Sequence, residues 1–388
     1  MGKYFEFYSP VKLIAGEGGL ENIPYEINNL GAKKPLILAA EPIISNKLID
    51  ILLRALEDYK IDVGKVIHDI PIDSSIEVVN DIARIYRELG CDSIIAIGGG
   101  SIIDTAKGVN IIVSLGGESL LDYQGVDSID KNLRPLIVAP STSGTGSEGT
   151  AVSVIANKKK HIKMEFISYK VVPDVAVLDP RLTVTLPMRL TASTGIDALV
   201  HAIEAYSCLQ KNPVSDLYAK EAIKLIIENI YKVMFKPKDK DLRFNLLLGS
   251  FLAGVAFSNS MVGMVHAIGH SVGAVCGVPH GDAMTILLIP CMKKNLGLCH
   301  KEYEEIYDII KGEKNELDNK GEKCIEELKS LLISLSEQTG LPLTLREVGV
   351  KKEDFKEISR ISINDGAAII NPLAVTEKIV CEILEEAY

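Results

Sequence analysis

At 388 residues the chain is longer than one hydrophobic core usually supports, and 47% hydrophobic content with 24% charge is the balance of a folded, water-soluble protein, so two domains are expected. A formal net charge of −10 offers no attraction to phosphate backbones, and the basic run Lys158-Lys159-Lys160 is too short to change that, so nucleic acid is excluded as a partner. Seven cysteines, scattered and never spaced as CxxC, suit a reducing compartment and supply neither a disulfide framework nor a cysteine metal site.

Residues 1–8 alternate like a strand and hold no apolar run of signal-peptide length, which predicts a cytoplasmic protein. The apolar strand Tyr4 to Tyr8 would be a liability as an open edge, so pairing with a second copy is expected and, with it, a homo-oligomer, dimer or higher. Leu36-Ile37-Leu38-Ala39 reads as a strand and residues 47–59 as a helix. A helix over residues 76–89 follows, with Ser74 and Glu77 at capping-box spacing and Gly90 as its stop. Ser93-Ile94-Ile95-Ala96-Ile97 is a buried strand feeding a glycine run and then a helix over residues 102–115. Pro135-Leu136-Ile137-Val138-Ala139 feeds a Ser/Thr/Gly run, and Val175-Ala176-Val177-Leu178 ends the strand signals. Long helical patterns then run to the C-terminus.

The chain therefore reads as an α/β domain with a Rossmann-like parallel sheet (residues 1–186) followed by an all-α domain (residues 187–388). From Phe244 to Gly281 there is no Lys, Arg, Asp or Glu, but glycines, Ser258-Asn259-Ser260 and three histidines interrupt the stretch, which predicts buried helices and no membrane span. Residues 301–329 are charge-dense and read as solvated helix and loop.

Two loops at strand ends are offered to a ligand. Gly98-Gly99-Gly100-Ser101 lets backbone N–H groups approach a pyrophosphate ahead of a helix N-terminus that favours negative charge, although Asp104 stands where GxGxxG would have its third glycine. Pro140-Ser141-Thr142-Ser143-Gly144-Thr145-Gly146-Ser147-Glu148 presents hydroxyls to phosphate, ribose or an amide. In the second half, Asp197 and His201 are four apart on one helix face, His266 and His270 repeat that spacing on another, and His280 follows Val278-Pro279 on a predicted loop. One carboxylate among several imidazoles, in a stretch purged of charge, suits iron(II), zinc or a similar divalent ion.

These residues resemble the iron-containing alcohol dehydrogenase family, whose fold is dehydroquinate synthase-like. The resemblance is carried by Gly98 to Ser101 with Asp104-Thr105-Ala106-Lys107, by Ser141 to Glu148, by Gly195-Ile196-Asp197-Ala198-Leu199-Val200-His201-Ala202-Ile203-Glu204, and by His266-Ala267-Ile268-Gly269-His270 through Pro279-His280-Gly281. It extends over essentially the whole chain. It implies that Asp197, His201, His266 and His280 hold Fe2+, or Zn2+ in purified protein, while His270 stays near the substrate as a non-ligand catalytic group. It implies NAD or NADP contacts from Gly98, Gly99, Ser141, Thr142, Thr145, Thr150 and Lys163, and the rest of the first loop, Gly100, Ser101 and Asp104, completes the expected cofactor site. The reaction implied is hydride transfer between the nicotinamide and a small alcohol or aldehyde. Glycerol dehydrogenase-like and dehydroquinate synthase-like relatives, the latter using and regenerating NAD within one turnover, are the alternatives, with a non-catalytic metal- and nucleotide-binding protein as a third. Ala40 and Glu41 follow the first buried strand, where an aspartate would exclude a 2′-phosphate, so NADPH is expected within about tenfold of NADH.

Overall fold

The computed structural model describes residues 4–72, 74–126, 128–158, 162–314 and 316–388. Met1, Gly2 and Lys3 of the expected first strand, and Lys159 and Lys160 of the basic run, lie outside the described residues. The chain divides into two compact units, Tyr8–Leu186 and Pro187–Tyr388, with the segment ahead of Tyr8 grouping with the second.

In the first unit the elements run β1 (Lys12–Ala15), α1 (Ile23–Asn29), β2 (Pro35–Ala39), α2 (Glu41–Ser45), α3 (Ile49–Asp58), β3 (Lys65–Ile67), α4 (Ile76–Glu88), β4 (Ser93–Gly98), α5 (Gly100–Leu115), β5 (Gly125–Val126), β6 (Leu136–Pro140), β7 (Val152–Asn157), β8 (Ile162–Ile167) and β9 (Val175–Leu178). Six strands form a wholly parallel sheet in the order β1-β9-β6-β4-β2-β3. Strands β2, β4, β6 and β9 are buried at every position, as parallel strands covered on both faces must be. One face packs Ile37, Ile95, Ile97, Ile137 and Val177 against Ile23 and Ile27 of α1 and Leu52 and Leu56 of α3. The chain proceeds outward from β2 to β3, then returns past β2 to β4 and on to β6, so the topological switch lies between β2 and β4.

Several expectations are corrected here. The described residues 4–8 form no strand: Tyr4 is 87% exposed, Phe7 stacks on Tyr218, Tyr8 packs on Tyr169, and the ladder begins only at Lys12↔Val175. Residues 47–59 start their helix two residues late because Lys47 takes a left-handed φ of 57°. The capping box of Ser74 and Glu77 does not form; the N-cap is Ser75, extended and bridged to Ala156. The antiparallel β7–β8 pair, joined by β5 in a second small sheet, had no counterpart in the expectations.

The second unit is helical throughout: α6 (Met188–Ser207), α7 (Pro213–Phe235), α8 (Lys240–Ser258), α9 (Met264–Cys276), α10 (His280–Lys311), α11 (Lys320–Thr339), α12 (Phe355–Ser362), α13 (Gly366–Ile369) and α14 (Glu377–Glu386). Its core is one cluster running from Ile196 and Leu199 of α6 through Ile223, Ile226, Leu246, Ile268, Leu287 and Leu288 to Ile383. The uncharged stretch becomes most of α8 and all of α9, and no described helix is long and apolar enough to cross a membrane.

Candidate active site

Asp197 and His201 lie one turn apart on α6, His266 on the first turn of α9, and His280 at the start of α10. His280 is therefore the first residue of a helix, not a loop residue as expected, because Pro279 serves as N-cap in front of it. The three imidazoles converge on one carboxylate oxygen. Asp197 Oδ1 stands 3.8 Å from His201 Nδ1, 3.9 Å from His266 Nε2 and 3.2 Å from His280 Nε2. The ligand atoms of Asp197, His201 and His266 all lie within 4.8 Å of one another. A four-coordinate ion with bonds of about 2.1 Å keeps its ligands about 3.4 Å apart, which these spacings match.

The fit has a second sign. Asp197 Oδ1, His201 Nδ1 and His266 Nε2 are buried and take no hydrogen bond from the described residues. Three such atoms aimed at one another would be costly without a shared partner, and a cation is the partner that suits all three. Burial pushes His201 down to about 3 and His266 well below the ordinary imidazole value, so both rings are neutral at pH 7 and retain a lone pair for a metal. Burial works to raise Asp197, but His201 and His280 outweigh it and hold the carboxyl below its usual range. Phe257 stacks on His201 at 4.4 Å between ring centroids and makes that wall apolar.

His266 and His270 differ in their anchors. His266 Nδ1 is 2.6 Å from Glu204 Oε2, while His270 Nδ1 is 2.9 Å from Asp365 Oδ2. Burial pushes Glu204 up to about 7 despite the backbone donors at Gly263 and Val265. Burial also works to raise Asp365, but His270 prevails and lowers it. Neither acid was expected from sequence, although Glu204 is seven residues after Asp197 and so on the same helix face.

In the other unit, Gly98 pairs with Pro140 across β4 and β6, and Ser141 N–H donates to Gly98 O at 3.0 Å, so the two expected loops leave adjacent strands side by side. A Cβ on Gly99 would stand 3.1 Å from Thr142 Oγ1, and one on Gly100 would stand 2.7 Å from Thr145 Cγ2. The glycines are thus what lets the threonine loop close over the N-terminus of α5, with Gly99 as an N-cap that makes no side-chain bond. Ser101 continues that first turn. Both carboxylate oxygens of Asp104 are engaged, Oδ1 by Ser147 Oγ at 2.6 Å and Oδ2 by Val154 N–H at 3.1 Å. Lys163 lies on β8 opposite Ala156.

Beneath the loop is a residue the expectations passed over. Lys107 Nζ, fully buried, donates to Thr150 O at 2.9 Å, Thr150 Oγ1 at 3.0 Å and Val152 O at 2.7 Å. Burial lowers it to about 8, against the pull of Asp104 and Glu148, and burial raises Glu148 to about 7. Its signal was available: Lys107 is the single cation of α5, three residues after that helix's single acid, Asp104.

Comparison with known proteins is consistent along the whole chain. Residues 10–180 match the family model described as iron-containing alcohol dehydrogenase, and residues 191–388 match that of the Fe-containing alcohol dehydrogenase family, C-terminal. A NAD-dependent methanol dehydrogenase of Bacillus methanolicus is 31% identical over 98% of this chain and 99% of its own. An NADPH-dependent butanol dehydrogenase of Clostridium saccharobutylicum is 34% identical over 98% and 97%. Among solved structures, a 1,3-propanediol oxidoreductase superposes with a TM-score of 0.94 at 30% identity, covering 100% of both chains.

Proposed function

The chain belongs to the iron-containing alcohol dehydrogenase family, and from that premise we propose that it transfers a hydride between a nicotinamide dinucleotide and a small alcohol or aldehyde at a metal held by Asp197, His201, His266 and His280. The observation that carries this reading is the convergence of three imidazole nitrogens on Asp197 Oδ1, with that oxygen and the buried nitrogens of His201 and His266 taking no hydrogen bond among the described residues. Iron(II) is the proposed ion; zinc is the competitor in purified protein, because nitrogen and oxygen sites generally bind it more tightly.

A divalent ion supplies Lewis acidity, which makes an alcohol easier to deprotonate and a carbonyl easier to reduce. One carboxylate among nitrogen ligands offsets one unit of a divalent ion's charge and leaves the other uncompensated. His270 is proposed to move the proton: with Nδ1–H donated to Asp365, the other ring nitrogen is the basic one. Gly98, Gly99, Gly100 and Ser101 are proposed to receive the pyrophosphate at the N-terminus of α5, and Ser141, Thr142, Thr145 and Lys163 the rest of the dinucleotide. Asp104 and Thr150 serve through the loop they anchor.

Both cofactors fit this reading. Ala40 follows β2 without a carboxylate, and Glu41 Oε2 is taken by His68 Nδ1 at 2.7 Å. NADPH is therefore expected within about tenfold of NADH in kcat/KM, and a preference for NADH beyond about a hundredfold would show an acid excluding the phosphate. A homo-oligomer is also proposed, now with β1 as the outer strand of the sheet in place of Tyr4 to Tyr8; a monomeric mass by light scattering would reject it. The central test is oxidation of NADH and NADPH by a panel of small aldehydes with protein loaded anaerobically with iron(II). No net cofactor oxidation with any aldehyde would overturn the proposal.

A further inference from the structure

We infer that Glu204 is the positioning residue of the metal centre, fixing His266 with its Nε2 lone pair turned toward Asp197 and tying that ligand to the N-terminus of α9. The inference rests on the metal-centre reading above and names what holds that centre in shape.

Glu204 is 5% exposed, on the same face of α6 as Asp197 and His201. Its two oxygens have separate donors. Oε1 takes the Val265 N–H at 2.6 Å, and Oε2 faces His266 Nδ1 at 2.6 Å. An ionised Glu204 can only accept, so in that state Nδ1 carries the ring proton, and Nε2 is left as the atom that points at Asp197 Oδ1 from 3.9 Å. The opposite tautomer would aim an N–H into the centre and repel a cation.

The same carboxylate caps a helix. The first N–H groups of α9 have no intrahelical partner, and side chains from elsewhere meet them: Glu204 takes Val265, and Asn371 Oδ1 takes Met264 at 3.2 Å. Gly263 makes room, since a Cβ there would stand 3.0 Å from Glu204 Oε1 and 2.9 Å from Asn371 Oδ1. Asn371 is held in turn by a reciprocal pair with Asn295, at 3.0 and 2.9 Å. Two residues thus cap one helix end, and only Glu204 also touches a ligand. Asn371 is the built-in control.

A glutamine at 204 cannot serve both donors, because its one carbonyl oxygen accepts from one N–H while its NH2 confronts the other. The test uses full-length wild type, Glu204→Gln and Asn371→Ala with Co2+ as the probe ion. It reads affinity by chelator competition, the visible cobalt spectrum, the His266 tautomer by 15N NMR of the metal-free proteins, and thermal stability. Glu204→Gln is expected to lose about 10- to 100-fold in Co2+ affinity, alter the spectrum and populate the Nε2–H tautomer, while Asn371→Ala melts lower but stays within about threefold of wild-type affinity. Glu204→Asp keeps the charge but draws the carboxylate back by one methylene, and is the second variant should Glu204→Gln not fold; it is expected to lose affinity by a smaller factor. Unchanged affinity, spectrum and tautomer in the Glu204 variants overturns the inference, and so does an equal affinity loss in Asn371→Ala, which would make the effect that of a loosened helix end. If wild type itself binds no Co2+, the metal-centre reading falls, and the inference with it.

Discussion

Replacing Lys107 by methionine keeps the unbranched stem of the side chain and deletes its ammonium group. Three buried acceptors, Thr150 O, Thr150 Oγ1 and Val152 O, then lose their donor, and Asp104 and Glu148 lose the attraction of a nearby cation. A hydrogen bond to a charged group contributes about 1.5–3 kcal/mol, and a buried acceptor left without its donor costs about 1–3 kcal/mol, so a loss of about 3 kcal/mol is expected. For a unit of this size about 1 kcal/mol moves the melting temperature by about 2–4 °C, so Lys107→Met should melt roughly 10 °C lower. The same change frees the chain after Thr145, so KM for NADH should rise roughly tenfold, on the scale of about 1.4 kcal/mol. There is also a pH signature. Lys107 falls from an ordinary 10.5 to about 8 in the folded state, so between those values the unfolded chain binds more protons at this site and the folded state gains stability as pH rises. Calorimetry at pH 8 and pH 10 on both proteins reads this directly, and the variant should lack the rise. A variant that melts within about 2 °C of wild type with an unchanged cofactor KM would refute the reasoning, because the three bonds would then contribute nothing net.

Asp197→Ala and His280→Ala should each lower metal content and abolish turnover, Asp197→Ala more severely because all three imidazoles face its Oδ1; full metal content with near wild-type rates would remove them from the site. Adding metal at about a thousand times its Kd should stabilise the protein by about 4 kcal/mol, seen as a higher melting temperature that Asp197→Ala does not show. Glu148 rises from 4.5 to about 7 on folding, so it holds a proton in the folded state that the unfolded chain releases, and its contribution, about 3 kcal/mol, is present below pH 4.5 and lost as pH rises through 7. Urea titrations at pH 5 and pH 7 should show Glu148→Gln flattening that dependence; an identical slope in both proteins would count against a neutral buried Glu148.

The parallel sheet was legible because strands buried on both faces are written as unbroken apolar runs, as at Ile94 to Ile97. Strand β7 alternates in burial and β8 carries Lys163 and Glu165, so they lack that signature. The spacing of Asp197 and His201 announced a shared helix face. Nothing in spacing could separate His266 from His270, because the difference lies in which acid holds each Nδ1, and those acids are 62 and 95 residues away. Lys107 was read past for a similar reason: its three acceptors come from a segment more than forty residues downstream.

The pairing of β1 with β9 joins the first strand of its unit to the last, Lys12 to Val175. On a ribosome, then, the chain emerges with a strand that has no template until nearly the whole unit has been synthesised, and β6 likewise waits with one flank open for β9. Closing so long a loop comes late because its entropy is repaid only by these final ladders. A pause or truncation between β6 and β9 would leave an apolar strand edge exposed to other nascent chains.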